Sequence, residues 1–434
     1  MYNDFTPRRP LSQSQEELYS KLIGEVSNSR FRAVSFKMTD TLVLLPFSGI
    51  ADICALMEKD FRELCPDEKR SFTELRCAAQ EAALKKMNVM CRVTVKLIYS
   101  IIEKLGKVSP EASQKLMELE CGLAEKYSFP RECGKALFRE AKKSRKRVVI
   151  TADSPYPEET VKRILEKCGY SSYDELVPVS KIKGCTAESY FSEVLSKSGV
   201  PADKLIHIGG DVAFDIELPI CKGAKALLLS PPYELMDKSG RVRGYAEDKK
   251  LFDYDNPDFL QLRCCFGLYA AYGFDTPLKK LPMSDFCEDE YLLGFLVLGT
   301  LSLSTDSSPL TAKQSEILSA LENNPRIIEG KNDFTAMFSA HFGGCEFPAK
   351  AEGCRLPLEF IENCCASSDR AFLSDGLSDS FMKKWAKSVK EPEIVRYKPQ
   401  KDKNGRLSKL ADKMFPPGSQ VRTIVDDILS KGRK

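Results

Sequence analysis

Residues 31–37 read Phe-Arg-Ala-Val-Ser-Phe-Lys, a short β-prone run that follows a helical pattern. Short apolar runs of this kind are typical of buried parallel strands. Helical patterns at 157–167 and 187–197 separate later runs of the same kind, and a glycine stop follows each pattern. Those later runs are 146–151, 203–209 and 225–230. Strand, helix and strand at this spacing predict an α/β fold with a Rossmann-like, doubly wound parallel sheet.

The predicted domain organisation follows from where this alternation stops. About a hundred residues of helical periodicity come after the first strand, and we interpret them as an inserted helical cap. Ligands of such sheets bind outside the carboxyl ends of the strands, so a cap there would shield a site. Beyond the last strand, helical patterns recur at 259–272, 288–304, 315–322 and 421–430. The prediction is an N-terminal helix (1–30), an α/β core (31–47 and 146–235), a helical cap (48–145) and a mostly α-helical carboxyl-terminal domain (250–434).

Charge and hydropathy exclude several classes of function. The 434 residues include 65 Lys and Arg against 62 Asp and Glu, a net charge of +3, which gives no overall field that would recruit nucleic acid. The longest apolar stretch, 291–303, is shorter than the roughly 20 residues that cross a bilayer. No secretory signal opens the sequence. We therefore expect a cytoplasmic protein with no nucleic-acid partner and no membrane insertion.

Cysteine and histidine usage narrows the chemistry. The 16 cysteines are scattered over the chain, which favours buried free thiols over a disulfide framework or a zinc site. His207 and His341 are the only histidines, so a His-rich metal site is excluded. His207 lies in an apolar run, and we interpret it as a buried strand-end residue with satisfied hydrogen bonds rather than as a catalytic base. Carboxylates, lysine and threonine are left to carry any chemistry.

Three polar motifs lie at the ends of three predicted strands. Residues 34–43 read VSFKMTDTLV, residues 148–157 read VVITADSPYP, and residues 206–215 read IHIGGDVAFD. Their order, with the helical segment between the first two, resembles the haloacid dehalogenase (HAD) superfamily. The subgroup that they resemble is associated with glycosyltransferases of surface-polysaccharide synthesis. That resemblance covers about residues 30–230.

The resemblance implies a role for each matching residue. In such enzymes an aspartate at the end of the first strand attacks phosphorus and forms an aspartyl-phosphate, which water then hydrolyses. Thr151 matches the phosphate-binding hydroxyl, and Lys183, with Lys181 as the alternative, matches the phosphate-binding lysine. Asp211 and Asp215 match the acids that bind Mg²⁺ in active members. The double glycine before Asp211 leaves the register of this last motif open.

The first motif departs from the family pattern at its chemical centre. Lys37 stands where the nucleophilic aspartate is expected, and Thr39 stands where a second acid is common. Asp40 remains, but its use as a nucleophile requires a change of backbone register. The Lys37 ammonium, placed opposite Asp211 and Asp215, could neutralise these acids in place of a magnesium ion, because unpaired buried charge is costly.

We therefore predict a catalytically degenerate pseudophosphatase that needs no cofactor and retains a pocket for a phosphate or phosphosugar ligand. Lys37, Thr151 and Lys183 would suit such an anion. One alternative is an active Mg²⁺-dependent HAD phosphohydrolase that uses Asp40. Another is a scaffold in which the helical residues 250–434 bind a glycosyltransferase.

Overall fold

A five-stranded parallel sheet forms the centre of the computed structural model, in the order β5-β4-β1-β6-β7. This sheet, flanked by helices, confirms the predicted fold class. The strands are β1 (Ala33–Lys37), β2 (Val43–Leu44), β3 (Phe129–Pro130), β4 (Arg147–Ala152), β5 (Glu175–Pro178), β6 (Leu205–Gly209) and β7 (Lys225–Leu228). The structure describes residues 13–47, 49–87, 93–178, 181, 187–237, 260–273 and 335–343, and the single positions 311, 312, 315, 319, 323 and 345.

The middle position of β1 explains its apolar sequence. β1 pairs in parallel with β4 on one side and with β6 on the other, so Phe36 lies between Ile150 and Ile208. All three side chains are fully buried. The four strands predicted from apolar runs are all present. The edge strand β5 was not predicted, because its sequence ELVP is short and partly exposed and lacks the apolar run of a central strand.

The helices follow the predicted patterns closely. They are α1 (Gln13–Ser27), α2 (Ile50–Leu56), α3 (Glu58–Leu64), α4 (Phe72–Met87), α5 (Val95–Leu105), α6 (Pro110–Tyr127), α7 (Glu132–Lys143), α8 (Glu158–Lys167), α9 (Ala187–Ser198), α10 (Leu218–Cys221), α11 (Pro232–Asp237) and α12 (Leu260–Gly273). A further helix, α13, spans 335–342. The helices predicted at 288–304 and 421–430 lie outside the described residues, as does most of 315–322. None of the helices in the described ranges combines the length and hydropathy needed to cross a bilayer.

Helices α2–α6 form one insertion between β2 and β3, which pair antiparallel at its base. A buried ion pair lies inside this helical insertion: Arg76 donates from Nε and Nη2 to the two oxygens of Glu120, at 2.9 Å each. The Tyr99 hydroxyl donates to the same carboxylate at 2.8 Å. In contrast, α7 returns to the sheet, where Leu137 and Phe138 join the main core.

Helix α13 contributes a buried histidine whose titration predicts a pH dependence. His341 packs against Phe129 with ring centroids 4.7 Å apart, and burial, aided by the Lys167 ammonium, lowers its pKa from 6.5 to about 4. The unfolded chain therefore binds the proton more readily than the folded protein. Stability from this residue is present above about pH 6.5 and is lost as the pH falls towards 4, by roughly 3 kcal/mol in all.

Urea unfolding of the parent and of His341→Phe at pH 7 and pH 4.5 measures this loss. The parent should lose stability between the two pH values by roughly 2 kcal/mol more than the variant, which carries no titrating ring. Equal losses in the two proteins would show that His341 is not held neutral by burial.

Candidate functional site

The site lies at the carboxyl edge of the sheet, where three strand ends meet. Lys37 is the last residue of β1 and lies beside Thr151 of β4 in the parallel register. The Met38 amide, one residue beyond β1, donates to the Thr151 carbonyl at 2.8 Å, which continues the ladder past the strand end. Gly209 ends β6 on the other side of β1. The fold therefore brings the three sequence motifs together, as their strand positions predict.

Lys37 is the central charge of the site. Its Nζ lies 3.3 Å from Asp153 Oδ2 and 3.6 Å from Asp215 Oδ2. The hydroxyl of Thr39 donates to the other Asp153 oxygen at 2.7 Å. Burial opposes the charged ammonium, but the carboxylates of Asp153, Asp215 and Asp211 outweigh it and raise the pKa of Lys37. The residue that ends β1 is therefore a protonated amine held between two acids.

Asp215 is buried under the site and is held from several sides. His207 Nε2 lies 3.2 Å from its Oδ1, and the Asp211 amide donates to its Oδ2 at 2.8 Å. Burial alone would raise the pKa of Asp215, but the hydrogen bond from His207 and the charge of Lys37 lower it. Asp215 is therefore an ionised carboxylate with both oxygens engaged.

His207 extends this network into the sheet. An ionised carboxylate only accepts, so Nε2 carries the proton that binds Asp215, and in the neutral ring Nδ1 accepts from Ser35 Oγ at 2.7 Å. Ser35 and His207 are partners in the β1–β6 register and are fully buried. The side chains of Ser35, His207 and Asp215 form a chain of hydrogen bonds in that order. Ser35 is fully buried, however, so a substrate cannot reach it. The prediction that His207 is buried with its hydrogen bonds satisfied is confirmed, but His207 is the third of the five residues of β6 rather than a residue at its end.

The acids of the third motif have separate roles. Asp211 caps a six-residue π-helical turn, Val212–Glu217, and its Oδ1 accepts from the amides of Ala213 and Phe214 at 2.8 Å each. Asp215 lies on this turn and reaches back to the strand end. A Cβ on Gly209 would lie 2.3 Å from the Asp215 carboxyl carbon, so this glycine makes the close approach possible.

Asp40 lies near the site, in the chain just beyond β1 and three residues after Lys37. It has a left-handed backbone conformation with φ of 59°, in the loop after β1, and its carbonyl accepts from Arg131 Nη1 at 2.6 Å. Burial raises the pKa of its carboxyl group, although Lys37 and Arg131 act in the opposite direction. The carboxyl group of Asp40 is therefore harder to ionise than that of an ordinary aspartate.

The two phosphate-binding candidates differ in what the structure describes. Thr151 is fully buried, and its hydroxyl lies 3.4 Å from the Phe36 carbonyl oxygen, to which it donates. Lys183 lies outside the described residues. Lys181, the alternative, forms an ion pair with Glu158 at the start of α8, with 66% of its side chain exposed. Exposed ion pairs of this kind are common on protein surfaces, so this pair does not indicate a phosphate-binding site.

The donor set does not fit a magnesium ion. Mg²⁺ needs carboxylate oxygens that are free to enter an octahedral shell. Here Asp215 already binds His207 and the Asp211 amide, Asp211 caps a helical turn, and the Lys37 ammonium lies against the remaining face. Within the part of the chain that the structure describes, no group of three or more His, Cys, Asp or Glu side chains is arranged to hold a metal.

Three residues of the site were missed from the sequence. Asp153 lies two positions after Thr151, but only the fold shows that it faces Lys37. Ser35 lies between the apolar residues Val34 and Phe36 of β1. A polar residue within an apolar strand was the signal that could have identified it as part of the site. Arg131 is fully buried and donates to the carbonyl oxygens of Asp40 and Ser230, at 2.6 and 2.8 Å. This arginine links the loop after β1 to the segment after β7. It lies 91 residues from Asp40 and 99 residues from Ser230 along the chain.

Fold and site together define a doubly wound α/β protein with a helical insertion and a charged cluster at the ends of its central strands. Solved structures similar to the chain are HAD-superfamily hydrolases. A predicted phosphoglycolate phosphatase from Haemophilus somnus is 12% identical, with a TM-score of 0.33 over 47% of this chain and 87% of its own. A 2-haloacid dehalogenase from Pseudomonas syringae is 15% identical, with a TM-score of 0.37 over 46% and 86%. L-2-haloacid dehalogenase from Xanthobacter autotrophicus is 14% identical, with a TM-score of 0.35 over 50% and 83%.

No protein-family model matches the sequence, and no curated protein sequence matches it either.

Proposed function

We propose that the chain is a catalytically silent HAD-like protein in which the Lys37 ammonium takes the place of both the attacking carboxylate and the metal charge. The observation that carries this proposal is the position of Lys37 Nζ, 3.3 Å from Asp153 and 3.6 Å from Asp215. One cation then offsets half of the charge of two acids that would otherwise face each other without a counter-charge.

The chemistry of phosphoryl transfer supports the proposal. Attack on phosphorus needs a lone pair on an oxygen or nitrogen, and a protonated amine has none. The surrounding acids raise the pKa of Lys37, so its neutral form is rare at neutral pH. The other carboxylates are also engaged: Asp153 by Thr39 and Lys37, and Asp215 by His207 and Lys37.

The same charges bear on what the pocket binds. Lys37 contributes one positive charge and its partners Asp153 and Asp215 contribute two negative charges, which leaves this cluster with an excess of one negative charge. A phosphate or phosphosugar ligand therefore needs a second cation, and Lys183 is the candidate that the sequence offers. The ligand part of the proposal thus depends on Lys183, whereas the loss of catalysis depends on Lys37.

Turnover of an aryl phosphate tests the proposal. Purified protein with Mg²⁺ and p-nitrophenyl phosphate should show no activity above a buffer control, because the Lys37 ammonium engages the nearest of the described carboxylates, Asp153 and Asp215. Asp40→Asn, assayed in parallel, should be equally silent. Turnover by the parent that disappears in Asp40→Asn would overturn the proposal and establish an active phosphohydrolase.

A further inference from the structure

We infer that the carboxyl-terminal elements of this chain clamp both connections of the helical insertion and so fix its position over the sheet. The clamp consists of α12, α13 and Cys345. The two connections are Pro46–Phe47, which lead from β2 into the insertion, and 127–131, which lead from α6 through β3 to α7.

Helix α12 holds the first connection through its backbone and through a buried ion pair. A Cβ on Gly267 would lie 2.2 Å from the Pro46 carbonyl oxygen, so the helix backbone rests directly on this segment. Arg263 Nε lies 2.5 Å from Asp52 Oδ1, and both side chains are at most 1% exposed. Asp52 is in the first turn of α2, so this pair joins α12 to the start of the insertion.

Helix α13 holds the two connections together through aromatic rings. Phe342 packs against Phe47 of the first connection and Tyr127 of the second, with ring centroids 5.9 and 5.3 Å apart. Phe47 and Tyr127 are themselves in edge-to-face contact at 5.1 Å. His341 lies on Phe129 of β3, and the Tyr127 hydroxyl contacts Cys345 Sγ at 3.1 Å.

The helical insertion also contacts the loop that follows β4, the loop that contains Asp153 of the site. The Val95 amide at the start of α5 donates to the Pro155 carbonyl at 2.9 Å, in the loop after β4. Tyr156 of the same loop is partly buried, and desolvation together with the charge of Glu120 in the insertion raises the pKa of its hydroxyl. Movement of the insertion away from the sheet would have to break these contacts and rotate both connections.

Rotation of the connections is what the clamp opposes. Hinge motion needs a few residues that are free to change φ and ψ. Here the backbone of α12 contacts the first connection, and the Phe342 ring packs against both connections. The carboxyl-terminal elements therefore hold the insertion in place, and none of their described residues belongs to the strand-end cluster.

Hydrogen exchange in the full chain, read by mass spectrometry, tests the clamp. Gly267→Ala places a methyl group against Pro46 and should lift α12 from the first connection. Exchange in peptides that contain Phe47 and 127–131 should rise roughly tenfold or more, while β1 and β4 keep their protection. Gly122→Ala is the matched control, because this helical glycine of α6 has open space where the Cβ would be.

Phe342→Ala provides a second release of the clamp and decides the question if Gly267→Ala does not fold. It should produce the same selective rise, whereas Phe61→Ala, which removes an equally buried ring inside the insertion, should not. Unchanged exchange at both connections in the folded variants would overturn the inference. A uniform rise that includes β1 and β4 would also overturn it, since it would report global unfolding.

Discussion

Replacing Glu120 by alanine should lower the free energy of unfolding by about 3–5 kcal/mol, because it leaves a fully buried guanidinium without its counter-charge. Arg76 donates two hydrogen bonds to this carboxylate, and both side chains have no exposed surface. The Tyr99 hydroxyl would lose one of its two acceptors in the same step and keep the Leu116 carbonyl. Urea unfolding followed by circular dichroism measures the change.

Glu118→Ala is the control for the Glu120 prediction. Glu118 lies on the same helix but is exposed, and it accepts a hydrogen bond from the exposed Gln114. Surface substitutions of this kind change stability by about 0.5 kcal/mol or less. If Glu120→Ala and Glu118→Ala had similar effects, the ion pair inside the insertion would contribute little to stability, and the rigid docking of Tyr156 beside it would need another explanation.

The strands and helices near the site were predictable because their local sequences agree with their burial. The segment VKLIYSIIEKL, predicted to be helical, forms α5 with the same bounds, and the apolar runs of β1, β4 and β6 are buried on both faces. The edge strand β5 is the counterexample, since its four residues ELVP form no apolar run. The other edge strand, β7, is no more buried than β5, but its sequence KALL is apolar enough to be predicted as a strand.

The site was only half predictable for a different reason. Lys37, Thr39 and Asp215 could be placed in one cluster because strand ends meet at one edge of a parallel sheet. Which acid faces the lysine depends on loop geometry, and Asp153 and Arg131 lie in loops with no periodic pattern. The separate roles of Asp211 and Asp215 also follow from the π-helical turn, which the sequence does not mark.

Lys37→Asp should give a protein that Mg²⁺ stabilises, whereas the parent should not respond to magnesium. The substitution removes the ammonium and adds a third carboxylate beside Asp153 and Asp215, so without metal we expect a loss of about 2–4 kcal/mol, less than for a wholly buried pair because Asp153 is 39% exposed. Three adjacent carboxylates form the oxygen-rich site that a divalent cation prefers. At a Mg²⁺ concentration a hundred times the dissociation constant, binding to the folded state restores about 2.7 kcal/mol.

Thermal unfolding of the parent, Lys37→Asp and Lys37→Met, with Mg²⁺ or with sodium chloride of equal ionic strength, separates the contributions. Lys37→Met loses the ammonium without adding an acid, so it should be destabilised yet respond to Mg²⁺ less than Lys37→Asp. The parent should show no difference between the two salts, because the ammonium already lies where the cation would compensate the acids. A parent whose midpoint rises with Mg²⁺ as much as that of Lys37→Asp would show that Asp153 and Asp215 hold a metal despite the lysine, and the idea of a lysine in place of magnesium would then be wrong.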